Sequence, residues 1–580
     1  MIGLLRTFLR PYAGQLAVVI ALLLVGAIGN LYLPDLQGDI INNGVVKGDT
    51  DYILRIGGLM LLVTAAVGLS AGAAVYFSSR VANAFARDVR SSIFSTVETF
   101  SQVEINQFGP ASLITRNTND VQQVQQVVFV ALTVMVSAPI LIVGGVIMAL
   151  RTDVPLSGLL LVILPIMALI IGITMTRLVP LFRATQTKID RINQVMRETL
   201  SGVRVIRAFV RTRHEEQRFE VASRDLYEVQ LQATRIFAFT QPLIFAIFNL
   251  STVAVLWFGA MRVDSGELQI GNLTAFLQYL FQILFAVLTA VFMFILIPRA
   301  AVSSTRIREV LETQPTIHDP ATPVVPSPDG PDRGVVEFRD VEFRYPGAEQ
   351  PVLRSITFRA EPGKTTAIVG STGSGKSTLV NLIPRFYDAT GGSVSVDGVD
   401  VRAMSREDVW ERLGFIPQKA FLFSGTVASN LRFGKADATE TELWRALEIA
   451  QGRDFVSEME GGLDGQIAQG GTNVSGGQRQ RLSIARAIVK DAPIYVFDDS
   501  FSALDFSTDA RLRAALDREL GAATVIIVAQ RVGTILNADQ IIVMDDGAVV
   551  GIGTHRQLLE TNETYREIVY SQLSATEAVA

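Results

Sequence analysis

Nine consecutive residues, Gly370, Ser371, Thr372, Gly373, Ser374, Gly375, Lys376, Ser377 and Thr378, follow the apolar run from Thr366 to Val369 and precede a helical pattern beginning at Leu379. Glycines at this spacing let backbone N–H groups wrap phosphates, the lysine reaches the β- and γ-phosphates, and the hydroxyl after it ligates Mg²⁺. The helix opening behind the loop adds positive potential. The pattern is that of a P-loop. Further on, Ile494 to Asp498 reads as a buried strand ending in a carboxylate, which suits a Walker B aspartate holding Mg²⁺ through water.

Such groups need an α/β scaffold, and past Gly334 short β-rich runs alternate with helical patterns as a nucleotide-binding core requires. Between Glu312 and Gly334 the chain is punctuated by Pro315, Pro320, Pro323, Pro326, Pro328 and Pro331, a composition that cannot continue a helix and fits an extended connector. At 580 residues one hydrophobic core is excluded. The expected division is a membrane domain over 1–312, a Pro-rich linker over 313–334, an ATPase domain over 335–570 and a C-terminal tail over 571–580.

The first half carries the apolar surplus. Hydrophobic residues make up 49% and charged residues 18%, too apolar for a soluble chain of this size and too polar for one embedded throughout. Six stretches free of Asp, Glu, Lys and Arg run roughly from Pro11 to Pro34, Ile56 to Ser79, Val127 to Leu150, Val154 to Thr176, Ile236 to Met261 and Leu268 to Pro298. Each is long enough to cross a hydrocarbon core of ~30 Å as a helix. Arg6 and Arg10, then Arg80, Arg87 and Arg90, then Arg177, Arg183, Lys188 and Arg191, and last Arg299, Arg306 and Arg308 all flank ends on one side, which the positive-inside rule makes cytoplasmic. The long connections after the second and fourth spans read as helices that leave the membrane, with a turn at Gly202. Leu4, Leu5, Phe8 and Leu9 with Arg6 and Arg10 suit a short interfacial helix. The first apolar stretch exceeds a signal-peptide core.

No ionisable residue lies inside the spans, where each would cost roughly 2.5 to 3.5 kcal/mol, so a proton relay is not expected and the energy for any transport must come from elsewhere. Gln241, Asn249, Thr252, Gln278 and Gln282 either face a substrate cavity or serve as interhelical hydrogen-bonding glue. A net charge of −5 gives no basic surplus, so no nucleic-acid partner is expected. The absence of cysteine excludes disulfides and thiolate metal sites, and His214, His318 and His555 read as surface residues.

The P-loop family is decided by Val474 and the run Ser475, Gly476, Gly477, Gln478, Arg479, Gln480, Arg481 about twenty residues before the Walker B strand. This run closely resembles the signature of ATP-binding-cassette proteins. In that family's order, Tyr345 resembles the aromatic residue that stacks on adenine, Gln418 the residue that couples Mg²⁺ to the membrane domain, and Ser502 to Asp505 the loop that crosses between two ATPase domains. The chain from about residue 1 to 570 resembles a half-transporter of the multidrug and lipid exporter family. The resemblance implies an α-helical membrane domain of six transmembrane helices plus an α/β P-loop NTPase domain, with ATP and Mg²⁺ as cofactors. It assigns Mg²⁺ to Ser377, Gln418 and Asp498, and coupling segments to Phe108 to Asp120 and Ser201 to Phe219. It also implies a partner subunit, because the signature addresses ATP held by another chain's P-loop.

Two departures stand out from the family pattern. The glutamate that polarises water after the Walker B aspartate is here Asp499, and the histidine of an Ala-His-Arg context is here Gln530 between Ala529 and Arg531. Gln469 also stands where many exporters carry a glutamate. Asp499, Gln530 and Gln418 are the candidate catalytic positions, of a site expected to bind ATP well and hydrolyse it slowly. The intact signature beside a weakened site implies a heterodimer in the inner membrane, with a homodimer of two slow sites as the alternative. Hydrophobic or amphipathic cargo and export are expected; uptake on the same fold, or an ATP-gated regulator or channel, are the rival readings.

Overall fold

The computed structural model describes residues 1–327 and 330–572. Pro328 of the linker, all of the 571–580 tail except Ser571 and Gln572, and the side chains of 291–295 lie outside the described residues. The chain divides into two units, Met1–Glu98 with Ala111–Thr313, and Thr99–Pro110 with the chain from Gln314 onward.

Among the described residues the first unit contains six helices long and apolar enough to cross a membrane. They include α1 (Ala13–Asp39), α2 (Thr50–Thr99), α4 (Pro110–Thr152), α5 (Leu160–Ser201), α7 (Thr212–Asp264) and α8 (Ile270–Glu312), while α3 (Gln102–Phe108) follows α2 and α6 (Val203–Ala208) follows Gly202. Both long connections are therefore helical, as their composition implied. The tight turn before α5 is held by Asp153, which accepts a hydrogen bond from Leu156 N–H at 2.7 Å and pairs with Arg262 at 2.9 Å.

Polar side chains join α1 and the helical turn that follows it, Ile40–Val45, to α8. Asn42 accepts from Gly271 N–H at 2.7 Å and donates to Asn272 at 3.0 Å. Gln278 donates to Gln37, Tyr279 to the Leu31 carbonyl at 3.1 Å and Gln282 to the Asn30 carbonyl at 3.0 Å. Gly38 and Gly271 let the two backbones approach, since a Cβ on Gly271 would collide with the Gly38 carbonyl. Gln278 and Gln282 are thus interhelical glue, of the kind that holds membrane helices where no hydrophobic gain remains between them. Thr252 bonds its own helix at the Phe248 carbonyl, 2.9 Å away. Gln241 differs and lines a cavity.

In the second unit, β1 (Val336–Phe343) pairs antiparallel with β2 (Leu353–Ala360) and β4 (Gly391–Val396), the latter also pairing with β5 (Val399–Asp400). The main sheet has the order β10-β9-β3-β8-β7-β6, built from β3 (Thr365–Gly370), β6 (Leu413–Ile416), β7 (Ile494–Asp498), β8 (Thr524–Val528), β9 (Gln540–Asp545) and β10 (Ala548–Gly553). Its central strands are parallel and fully apolar in their middles, as burial on both faces demands.

The stretch Thr99–Pro110 belongs to this unit although it lies between two membrane helices in sequence. Ser101 and Glu104 form a capping box at the start of α3. Glu104, 2% exposed, accepts from Ser101 N–H at 2.8 Å and Ser101 Oγ at 2.6 Å, and from Thr316 N–H at 3.0 Å and its hydroxyl. Burial pushes this carboxyl up, and the bonds from Ser101 and Thr316 outweigh that, leaving it below the ordinary glutamate value. The stretch carried by this unit, Thr99–Pro110, overlaps the expected coupling segment Phe108 to Asp120 over 108–110, and the buried carboxylate that anchors it lies upstream of that segment, at 104.

Candidate nucleotide site

Parallel register brings the site together. Val528 pairs with Ile368 on one side and with Asp498 on the other, so β3, β7 and β8 end at the same edge of the sheet. The loop after β3, the carboxylates after β7 and Gln530 after β8 therefore converge, at the carboxyl edge where open α/β sheets bind ligands.

The loop from Gly370 to Gly375 is shaped by backbone geometry only glycine accepts easily. Gly373 and Gly375 have φ of +90° and +94°, and a Cβ on Gly370 would strike the Met544 carbonyl. Ser371 and Thr372 face solvent, whereas Ser374 is buried. Lys376, at the start of α9 (Lys376–Leu382), donates to the carbonyls of Gly370 at 2.9 Å and Ser371 at 2.7 Å. Burial pulls its ammonium below the ordinary lysine value, against the pull of Asp499 and Asp498.

Ser377 Oγ donates to Asp498 Oδ1 at 2.9 Å. Burial pushes the Asp498 carboxyl up, the Ser377 bond and Lys376 acting against it and the Asp499 charge adding to it. Burial likewise pushes Asp499 up. Asp499 Oδ2 accepts from two amides, Gln418 Nε2 at 3.1 Å and Gln530 Nε2 at 2.8 Å. Its backbone has φ of +47°, a region aspartate enters more readily than most residues. The structure thus gathers Lys376, Ser377, Gln418, Asp498, Asp499 and Gln530. Tyr345 joins the rim, its hydroxyl 3.0 Å from Thr378 Oγ1.

Hard oxygen donors, the buried Asp498 carboxylate with the Ser377 hydroxyl beside it, fit Mg²⁺. Among the described residues no group of three or more His, Cys, Asp and Glu could hold a metal, and Mg²⁺ usually keeps several waters and takes phosphate oxygens beside one or two carboxylates.

The signature residues sit elsewhere on the unit. Ser475 caps α10 (Gly476–Val489) in a box with Gln478: its Oγ accepts from Gln478 N–H at 3.2 Å, and Gln478 Oε1 from Ser475 N–H at 2.9 Å. Ser475 and Gly476 are exposed, and a Cβ on Gly476 would meet open space. Asp505 caps α11 (Phe506–Glu519), and bonds from Ser507 and Thr508 hold its carboxyl far below the usual aspartate range. Gln469 is exposed, as are His214 and His318, while His555 is half-buried with Nδ1 2.8 Å from the Tyr565 hydroxyl. Sequence reasoning missed Ser101, Glu104 and Thr316; the Ser-x-x-Glu spacing signals the first two, and Thr316, 212 residues away, has no local signal.

A six-helix membrane unit on one polypeptide with a phosphate-loop ATPase defines a class of transport ATPase. A family model described as the ABC transporter transmembrane region matches residues 16–288, and one described as ABC transporter matches residues 353–502. An ABC transporter ATP-binding protein of Mycobacterium tuberculosis is 48% identical over 580 residues, 99% of each chain. An ATP-dependent lipid A-core flippase of Vibrio vulnificus is 30% identical over 572 residues, 97% of this chain and 96% of that protein. The structure of a bacterial Atm1-family ABC exporter with ATP bound shares the fold with a TM-score of 0.79 at 22% identity, over 98% of this chain and 99% of that one. The chain belongs to the ABC transporter family. It is a multi-pass membrane half-transporter of the exporter fold with a cytoplasmic domain that binds and hydrolyses ATP.

Proposed function

We propose that the chain is one subunit of a heterodimeric exporter, in which its own P-loop site is slow and degenerate while its signature completes a competent site on the partner. The observation that carries this reading is the double hydrogen bond from Gln418 and Gln530 onto Asp499 Oδ2. A general base needs a lone pair aimed at water. Here the carboxylate stem is one methylene shorter than glutamate's, and neither neighbouring amide takes up a proton near neutral pH. Loss or misplacement of such a base costs ~10² to 10⁴ in rate, about 3 to 5 kcal/mol of barrier.

Binding is a separate matter. The Gly370 to Thr378 loop cradles phosphates, Lys376 contributes charge, and Tyr345 offers its ring to the base. Ser377 and Asp498, with Gln418, would hold Mg²⁺, which when bound neutralises phosphate charge. Ser475 and Gly476, exposed, with the half-buried Gly477 and Gln478, form a helix tip fit to address phosphate held by the partner, and Asp505 lies beside the loop that reaches across. Two cassettes closing on nucleotide shift the membrane domain only as far as the closed form binds more tightly than the open one.

The membrane unit supports hydrophobic or amphipathic cargo, drug-like molecules or lipids. A cavity of about 340 Å³ is lined by Phe237, Phe245, Phe281 and Phe285 with Thr240 and Gln241, and among the described residues none that is charged contributes to it. The relative from Vibrio vulnificus is an ATP-dependent lipid A-core flippase, which agrees with this cargo class.

The deciding experiment pairs Asp499→Ala here with removal of the matching glutamate in the partner and measures ATP turnover and vesicle transport. The reading requires turnover to survive the first change and collapse with the second; the reverse pattern overturns it.

A further inference from the structure

Tyr345 belongs to an aromatic cluster that leads away from the phosphates. Its ring meets Tyr387 edge to face with centroids 5.3 Å apart, and both pack on Phe343 at 4.8 and 5.4 Å. Tyr387 is 7% exposed, and a buried tyrosine hydroxyl requires a hydrogen-bond partner. That partner is Asn106, whose Nδ2 donates to the Tyr387 hydroxyl at 3.1 Å across 281 residues of sequence.

Asn106 lies on α3, two residues after the anchored Glu104, and Val103 of the same helix packs against the apolar core around Phe343 and Tyr387. The only covalent route back from α3 toward the N-terminus is α2, a helix long and apolar enough to span the bilayer. Two hydroxyls therefore bracket this cluster. Tyr345 reaches Thr378 beside the phosphate loop, and Tyr387 reaches the segment continuous with the membrane helices. Edge-to-face contacts fix ring angles relative to one another, so a ring displaced at Tyr345 by a stacked base must be accommodated by Tyr387.

We propose that Tyr387 and Asn106 are positioning residues that tie Tyr345 to α3, so that α3 responds to the purine of the nucleotide and not to its phosphates alone. This rests on the reading of Tyr345 as the residue that stacks on adenine. Gln418 and Ser377 face the phosphate end of the site; the Tyr387 to Asn106 bond gives the base end its own route to the helix. Coupling through such a contact is expected at ~5-fold, the lower range of site-to-site couplings.

The test measures hydrogen exchange of the α3 amides in the full chain assembled with its partner in lipid nanodiscs, with saturating ATP or saturating tripolyphosphate, which carries no base. In the wild type, ATP should slow exchange over Gln102–Phe108 ~5-fold more than tripolyphosphate. Asn106→Ala should erase that difference while leaving ATP affinity within about twofold. Tyr387→Phe, which keeps every ring contact and removes only the hydroxyl, should do the same even if Asn106→Ala fails to assemble. Equal protection by the two ligands in the wild type, or a difference that survives Tyr387→Phe, overturns the proposal. Tyr345→Ala separates the two readings. If it weakens ATP but not tripolyphosphate, the stacking role stands whatever α3 does; if it weakens neither, the stacking role and the link built on it both fall.

Discussion

Gln530 donates from Nε2 to Asp499 Oδ2 at 2.8 Å, so the residue that replaces the family histidine rests on the residue that replaces the family glutamate. The two departures are one structural fact. An imidazole at 530 and a longer carboxylate at 499 would not reproduce this contact at the same distance. Restoring both together should therefore act differently from restoring either alone.

Asp499→Glu with Gln530→His is expected to raise single-turnover hydrolysis at this chain's own site by at least ~10², whereas each single change recovers much less. In the proposed heterodimer, rapid-quench measurements with the partner's P-loop lysine removed isolate that site. Equal gains from one change alone would show that the pair does not act as a unit.

Asp498 carries a carboxyl that burial raises above its ordinary value, so its ionised form is the less comfortable one in the nucleotide-free fold. A raised carboxylate pKa means that stability falls as pH climbs through the native value. Asp498→Asn should thus raise the melting temperature without nucleotide by a few degrees and abolish the part of ATP stabilisation that depends on Mg²⁺. Differential scanning fluorimetry with and without chelator reads both effects.

Glu104 has the opposite sign. Its folded value lies below the ordinary 4.5, so the docking of α3 it provides is complete above pH 4.5 and fades as pH falls through the lower folded value. Glu104→Gln, which keeps shape but turns an acceptor toward a donor, should cost about 2 kcal/mol of local stability at pH 7. Proteolysis rates within Thr99–Pro110 provide the measurement.

Gly271→Ala should destabilise the membrane unit by roughly 1 to 3 kcal/mol, since its methyl would press on the Gly38 carbonyl where α1 and α8 touch. Thermal unfolding in detergent is the readout, with Gly57→Ala, where a Cβ meets nothing within 4 Å, as the control that should change little.

The phosphate loop and the signature were legible because each packs its chemistry into fewer than ten consecutive residues. The membrane spans were legible because apolar length is a one-dimensional property. Gln278 and Gln282 were not, since a glutamine between a cavity and a neighbouring helix looks the same in sequence; only Gln37 and Asn30 on α1 decide it. Glu104 announced a helix start but not what lay against it, because Thr316 is 212 residues away. Asp499 and Gln530 were visible as replacements, and their contact follows from the pairing of β7 with β8, which no single segment encodes.

That separation of 212 residues has a consequence during synthesis. At ribosomal speeds of ~5 to 20 residues per second, α3 leaves the exit tunnel roughly 10 to 40 s before Thr316 does. The ATPase unit thus cannot close around its first-made piece until every membrane helix has been translated, and a nascent chain released early, before the linker, would keep the Ser101 bonds to one oxygen of Glu104 and leave the other, Oε1, to water.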